Sequence, residues 1–163
     1  GIYKDLEEAR HWYEKAAAQG YGYALFNLGV VWERGYGVKP DLAKARAYYE
    51  KAAGKGVAKA AYNLANLYYR GKGVARDLTM ARRYYEQAAK LGHAGAQFYL
   101  GWLYAHGEGV ERDLKRAKKW YREAALNGSR QGALNYGLLL KKEGDAEADY
   151  WIGRGKRGKN RTK

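Results

Sequence analysis

The stretch from Asp77 to Arg112, DLTMARRYYEQAAKLGHAGAQFYLGWLYAHGEGVER, decides the fold of this chain. It contains two amphipathic helical patterns, a glycine turn between them, and a Gly-x-Gly-Val loop that leads into the next copy. The same pattern begins at Asp5, Asp41, Asp77 and Asp113, a spacing of 36 residues each time. Such a fixed period predicts an array of helix pairs in which each unit buries its apolar face against its neighbours.

The first helix of each unit follows an aspartate, which we expect to cap it, and Asp5 with Glu8 has the spacing of a capping box. One face of these helices repeats the same residues, which predicts that the face is buried, and a glycine ends each helix. The columns are Leu6, Ala9, Tyr13, Ala16, Ala17 and Gly20; Leu42, Ala45, Tyr49, Ala52, Ala53 and Gly56; Leu78, Ala81, Tyr85, Ala88, Ala89 and Gly92; and Leu114, Ala117, Tyr121, Ala124, Ala125 and Gly128.

The second helix is predicted over residues 21–34, with copies at 57–70, 93–106 and 129–142. Ala24, Leu28 and Val31 form its buried stripe. Glycine costs roughly 1 kcal/mol in a helix interior, so its recurrence at Gly29, Gly101 and Gly137 indicates close packing. The Gly-x-Gly-Val segments that follow are predicted to be structural turns. They are not phosphate loops, because no strand precedes them and no GxxxxGK[ST] follows.

The fourth copy changes near its end. Glu143 and Asp145 replace the two loop glycines, and the next helical pattern arrives five residues early. We interpret residues 145–153 as a capping half-repeat of an array that covers residues 1–153. Residues 154–163, RGKRGKNRTK, contain six Lys/Arg and no acid, and we expect them to form a disordered tail. The chain starts inside a loop of the pattern, which indicates a piece of a longer array or a removed upstream segment.

These periodic residues resemble the Sel-one-like repeat family, close relatives of tetratricopeptide repeats. The shared motif is A-x-A-x-x-x-L-G-x-x-Y-x-x-G-x-G-V-x-x-D-x-x-K-A-x-x-W/Y-Y-x-x-A-A-x-x-G, almost whole at Ala60–Gly92 and Ala96–Gly128. The resemblance implies an all-α fold, a right-handed α-solenoid (α/α superhelix) of about four 36-residue helix-pair repeats. It implies a protein-binding scaffold of bacterial envelope, secretion, regulatory or host-interaction systems, and some relatives are immunity proteins. On that basis we favour a bacterial periplasmic or envelope location, with the cytoplasm left open.

The side-chain inventory predicts that the chain is not an enzyme. It has no cysteine, and its one serine, Ser129, starts a helix and is expected to cap it. His11, His93 and His106 lie in different units, without the spacing of a metal motif. The periodic aspartates are explained by helix capping. We therefore predict no catalytic residue, no metal site and no cofactor.

The positions that vary within the period lie on the second helices, opposite the buried stripe. By resemblance to tetratricopeptide arrays, this face lines a concave groove, and its basic and aromatic columns fit an extended or acidic segment of another protein. The edge asparagines Asn27, Asn63 and Asn135 could bond the backbone of that segment, whereas Phe98 could instead pack between repeats. The predicted partner-binding residues are Arg34, Asn66, Tyr69, Arg70, Phe98, Trp102, His106 and Lys142.

The net charge of +14 attracts anions. Arg10–Glu14 and Arg46–Glu50 are predicted helical ion pairs, but Lys118–Arg122 breaks that rule. A basic patch is predicted on the outer face of the fourth unit: Arg112, Lys115, Arg116, Lys118, Lys119 and Arg122. The alternative function is therefore binding of nucleic acid or an anionic surface, although a solvated face would look the same and no element reads bases.

The leading hypothesis is a non-enzymatic scaffold or adaptor that binds a partner protein in its concave groove. It includes a bacterial regulatory or effector-immunity role. Nucleic acid is a less favoured partner. No apolar run approaches the roughly 20 residues of a membrane span. Because the repeats supply their own neighbours, we expect a monomer or weak end-to-end association.

Overall fold

The computed structural model describes residues 1–157, and all regular secondary structure in that range is α-helical. The chain forms two compact units, one of residues 1–84 and one that begins at Tyr85, so that the division falls within α5. No helix in residues 1–157 has the length and apolar character needed to cross a membrane. The helices are α1 (Ile2–Ala18), α2 (Gly22–Arg34), α3 (Leu42–Gly54), α4 (Ala58–Arg70), α5 (Leu78–Lys90), α6 (Ala94–His106), α7 (Leu114–Leu126), α8 (Arg130–Lys142) and α9 (Ala148–Lys156).

In the first unit, α1 packs on α2, α2 on α3, and α3 on α4. The predicted buried columns are confirmed on α2 and α3, whereas no residue of α1 is buried. Gly29 explains how closely α2 approaches α3, because a Cβ there would lie 2.4 Å from Cε1 of Tyr49. Burying an aromatic ring directly against a helix backbone requires a residue without a side chain. The fully buried residues include Leu28, Ala45, Tyr49, Ala52 and Leu64.

In the second unit, α6 packs on α7, α7 on α8, and α8 on α9. Gly101 and Gly137 repeat the role of Gly29, since an added Cβ would lie 2.7 Å from Cδ1 of Tyr121 and from N of Ile152, respectively. The buried residues of α6 to α9 include Leu100, Leu103, Ala117, Tyr121, Ala124, Ala125, Leu140, Ala148 and Trp151. One column residue departs from the prediction, because the side chain of Leu114 is exposed.

Helix capping by the periodic aspartates is confirmed for three of the four. Asp41, Asp77 and Asp113 each accept a hydrogen bond from the amide three residues later, at 3.0 Å. The prediction is wrong for Asp5, which lies in the first turn of α1. The reason is the backbone: the Asp41 amide donates to the carbonyl of Trp32 in the preceding helix, whereas the Asp5 amide donates to Gly1 within α1. Ser129 caps α8 as predicted.

The Gly-x-Gly-Val segments are turns, as predicted. Their glycines have φ between +64° and +72°, where a Cβ is strained. The second glycine also packs on the leucine that leads the first helix of the same repeat: a Cβ on Gly37 would lie 3.1 Å from Cβ of Leu6, and one on Gly73 would lie 2.4 Å from Cβ of Leu42. Each of these loops therefore covers a leucine of the first unit.

The fourth loop is shorter but closes at the same place. The amide of Asp113 donates to the carbonyl of Tyr104, nine residues earlier. The amide of Asp145 donates to Leu140, which is one period after Tyr104 but only five residues before Asp145. Four loop residues are missing here, so the segment that would cover Leu114 is absent. This loss is why Leu114 remains 42% exposed.

Helix α9 extends past the boundary predicted at residue 153. Arg154, Gly155 and Lys156 are helical rather than part of a disordered tail. Gly155 allows this, because a Cβ there would lie 2.6 Å from Cβ of Leu134 on α8, so the helix backbone itself contacts its neighbour. The rest of the predicted tail, residues 158–163, lies outside the described residues.

Candidate partner-binding site

Four of the predicted groove residues lie in the first unit, on α2 and α4. Arg34 and Arg70 are exposed, while Asn66 and Tyr69 are half-buried. Arg34 donates from Nη1 to the hydroxyl of Tyr36 at 3.0 Å, and this hydrogen bond raises the pKa of Arg34. The ring of Tyr69 lies 5.6 Å from the guanidinium carbon of Arg76, which also donates to the Tyr69 carbonyl. Tyr69 is therefore partly engaged by its own chain.

The other four predicted residues lie in the second unit, and three of them meet. Trp102, His106 and Lys142 line one open cleft of about 820 Å³. The remaining lining residues come from α6, α7, α8 and the loop before α7: Ala105, Arg112, Leu114, Tyr121, Asn135, Leu138, Leu139 and Lys141. Arg112 had been assigned to the outer basic patch and Leu114 to the core, so sequence reasoning missed both as cleft residues. The replacement of the loop glycines at 143 and 145 was the signal that could have found Leu114.

Trp102 and His106 form one wall of this cleft. Their rings are stacked with centroids 3.7 Å apart, and Nδ1 of His106 lies 3.0 Å from the Trp102 carbonyl oxygen. This contact covers part of the indole and limits its rotation. Phe98 differs, because it is only 9% exposed and packs on Tyr121 and Trp102. Packing between helices, the alternative that its position allowed, is what the structure shows.

The cleft combines positive charge with apolar surface. Arg112, Lys141 and Lys142 line it, and no carboxylate does so among residues 1–157. Arg112 is fixed by donation from Nε to the Ala105 carbonyl at 3.1 Å. Leu114 and Leu138 contribute side chains that are 42% and 46% exposed. A ligand with both apolar and acidic groups would match this lining.

Two of the predicted edge asparagines serve the core. Asn63 donates to the Tyr49 hydroxyl at 3.3 Å, and that hydroxyl donates to the Glu33 carboxylate. Burial, followed by the hydrogen bond to Glu33, raises the pKa of Tyr49. Asn135 is hydrogen-bonded to Tyr121, whose pKa is raised by burial. The hypothesis that these amides bind a ligand backbone is therefore replaced by a structural role for Asn63, while Asn135 both holds Tyr121 and lines the cleft.

The predicted basic patch does not form a single surface of unpaired cations. Lys118 lies 2.9 Å from a carboxylate oxygen of Glu143, the residue that replaced a loop glycine. Arg116 pairs with Asp113 at 3.5 Å and stands over the Tyr104 ring, while Lys119 stands over Trp120. Arg112 belongs to the cleft wall. Only Lys115 and Arg122 are exposed without such a contact among residues 1–157.

Two further inventory results concern chemistry. Within residues 1–157 no group of three or more His, Asp or Glu side chains could hold a metal ion. His93, one of the three histidines considered as ligands, caps α6 by accepting the Ala96 amide at Nδ1, 3.1 Å away. It occupies the same repeat position as Ser129, which is why an imidazole acts there as a cap.

Solved structures with the same fold include a Sel1 repeat protein from Oxalobacter formigenes. It is 31% identical with a TM-score of 0.86, over 96% of this chain and 66% of its own. A protective antigen of uropathogenic Escherichia coli strains, described as displaying an SLR fold, is 33% identical with a TM-score of 0.84, over 93% of this chain and 34% of its own. Helicobacter pylori cysteine rich protein B is 27% identical with a TM-score of 0.65, over 81% and 95%. The chain thus spans less than two thirds of the first two.

No curated protein matches this sequence significantly. The sequence model described as Sel1 repeat matches residues 1–21, 22–57, 58–93 and 94–129. The predicted resemblance and the predicted fold class, an all-α solenoid of helix-pair repeats, are confirmed. Sel1 repeat proteins are in general non-enzymatic scaffolds that bind other proteins. With four matched repeats over more than half of its length, this chain belongs to the Sel1 repeat family.

Proposed function

We propose that this chain is a scaffold that binds a partner protein and that the cleft of the second unit is its main contact site. One observation supports the proposal most directly: Trp102, His106 and Lys142, chosen because they vary within the repeat, converge on the same open cleft. A surface that varies where the core is periodic suits a shared scaffold with its own specificity. A bacterial regulatory or effector-immunity role remains a prediction.

Trp102 is the proposed anchor. Its counterparts one period away are Asn66 and Leu138, so the fold does not require an indole at this position. Stacking on His106 holds the ring in place before binding, which lowers the entropy lost on association. Aromatic anchors of this kind typically lose 2 kcal/mol or more of binding free energy on truncation, whereas rim cations mainly affect the association rate.

The test compares three variants in binding to the natural partner. The partner is first captured from native lysate by the wild-type chain and then titrated by calorimetry. Trp102→Ala should weaken binding at least about thirtyfold. Trp12→Ala removes an indole that is 65% exposed in the first unit and should leave binding unchanged. Lys119→Ala should cost only a few-fold.

The same titration separates this proposal from binding to polyanions. No contact in the second unit favours that alternative, because several cations of the predicted patch already have partners. If bulk nucleic acid were retained by wild type and lost at high salt, and Lys119→Ala mattered more than Trp102→Ala, the proposed function would be wrong.

A further inference from the structure

The second-unit cleft lies where earlier repeats carry a covering loop. In the first unit, Gly37 and Gly73 each pack on the leucine that leads the first helix of their repeat. The corresponding leucine of the fourth repeat is Leu114, and the loop that would cover it is reduced to residues 143–145. Leu114 consequently forms part of the cleft wall. The cleft is the space that a Gly-x-Gly-Val loop fills elsewhere in the array.

We infer that a short extended segment of the partner protein takes the place of this missing loop, with an apolar side chain on Leu114 and Leu138 and acidic side chains beside it. The inference rests on the proposed function, because it names the kind of segment that the protein-binding cleft accepts. The first unit supplies the precedent for the backbone: a glycine-containing loop with a half-buried valine, Val38 or Val74, occupies the equivalent position.

The size and surface of the cleft suit a peptide. Its volume of about 820 Å³ lies in the range of roughly 300–1,000 Å³ that is typical of ligand-holding clefts. Leu114 and Leu138 come from different helices and are both close to half exposed in a concave setting. Covering both with one apolar side chain would remove their surface from water, as the loop does for Leu42 in the first unit.

The charge of the cleft selects acidic neighbours for that apolar residue. Arg112, Lys141 and Lys142 line the cleft, and the acids that follow them in sequence are engaged elsewhere. Asp113 accepts the amide of Arg116, and Glu143 pairs with Lys118. Residues 158–163 of this chain, GKNRTK, have the same sign of charge, and a second copy carries a net charge of +14. Both are therefore poor occupants compared with an acidic segment.

Two synthetic peptides test the inference by fluorescence anisotropy at about 0.1 M salt, where surface charges are screened beyond roughly 10 Å. The first, EEGEGVEE, places the loop sequence of the third repeat between acids, and the second, KKGKGVKK, replaces every glutamate with lysine. The acidic peptide should bind at least tenfold more tightly than the basic one. A third peptide, EEGEGSEE, should lose most of that affinity, because serine cannot cover Leu114 and Leu138.

Variants of the protein locate the binding. Leu114→Glu should reduce binding of EEGEGVEE at least tenfold. Replacement of residues 143–144 by GEGVER, the loop sequence of residues 107–112, should abolish it by filling the cleft. Lys115→Glu has an acidic substitution on the same helix but outside the cleft lining, and it should change binding less than threefold. Circular dichroism checks that each variant keeps its helix content.

Several outcomes would overturn the inference. These are equal binding of the acidic and basic peptides, no binding of EEGEGVEE, or equal losses in Leu114→Glu and Lys115→Glu. Self-association of wild type that Leu114→Glu abolishes would assign the cleft to a second copy instead. If the natural partner still needs Trp102 while the restored-loop variant binds that partner normally, the scaffold function stands and the loop-replacement inference falls.

Discussion

The loops of the first unit and the last loop of the second unit differ in what they do for the same leucine. Gly37 and Gly73 pack on leucines that lie 31 residues earlier in the chain, and those leucines are half-buried. At the end of the second unit, the short loop closes on the corresponding carbonyl but covers nothing, and Leu114 stays exposed. A core position of the repeat thus becomes a surface position without any change in its own residue, because burial depends on a distant segment.

The largest expected effect tests whether the loop contact carries stability. Gly73 has φ +66° and a Cβ there would overlap Leu42, whereas Gly144 has φ +72° with nothing within 4 Å of an added Cβ. Gly73→Ala should therefore lower the free energy of unfolding by about 2–4 kcal/mol, from backbone strain plus overlap. Gly144→Ala should lose only about 1 kcal/mol. Urea unfolding followed by circular dichroism measures both, and equal losses would mean that the contact contributes nothing.

The buried tyrosines give the next comparison between the units. Tyr49 donates to Glu33 and accepts from Asn63, so Tyr49→Phe leaves two part-buried polar groups unpaired and should cost about 1–3 kcal/mol. Tyr121 pairs with Asn135, which lines an open cleft and can turn to water, so Tyr121→Phe should cost under about 1 kcal/mol. Thermal unfolding of the two variants is the measurement, and a larger loss in Tyr121→Phe would contradict this reading.

The pH dependence checks the same pair. The pKa of Tyr49 and of Tyr121 is raised in the fold, so folding favours the neutral phenols. Their contribution is complete below the unfolded pKa of about 10 and declines as the pH rises above that value. Tyr49→Phe should therefore flatten the alkaline loss of stability more than Tyr121→Phe does. An identical slope in both variants would show that Tyr49 does not govern it.

A smaller difference is expected for the two leucines themselves. Leu42 is half-buried beneath its loop, so Leu42→Ala should lower the free energy of unfolding by about 1–2 kcal/mol. Leu114→Ala removes a side chain already 42% exposed and should cost less than about 1 kcal/mol. Calorimetric melting distinguishes the two. If Leu114→Ala proved the more destabilising, the claim that the short loop leaves it uncovered would be wrong.

The smallest effect concerns the ion pair that came with the short loop. Lys118 and Glu143 are 33% and 52% exposed, so solvent screens their attraction, and Lys118→Ala should cost only about 0.2–1 kcal/mol. Arg10→Ala breaks the helical pair with Glu14 in the first unit and should cost a similar amount. A double-mutant cycle on Lys118 and Glu143 isolates their coupling. A coupling above about 2 kcal/mol would contradict this ranking.

Much of the fold could be predicted from the sequence because helix periodicity and local caps are short-range features. The columns of α2, α3 and α7, the caps at Asp41, Asp77 and Asp113 and the glycine turns all follow from residues within four positions of one another. The failures share a cause of the opposite kind. The burial of Leu114, the pairing of Lys118 and the role of Arg112 in the cleft each depend on groups that only the folded chain brings together.

The backbone bond that closes each loop also provides a local reporter of motion. The amides of Asp41, Asp113 and Asp145 lie outside helix interiors, yet each donates to a carbonyl of the preceding helix at 2.8, 2.9 and 3.0 Å. Such amides exchange with deuterium only when their loop opens, so their protection measures the free energy of that opening. Asp41 reports on the first unit, and Asp113 and Asp145 report on the second. Slower exchange at Asp145 in the presence of a partner would register occupation of the adjoining cleft as a gain in loop rigidity.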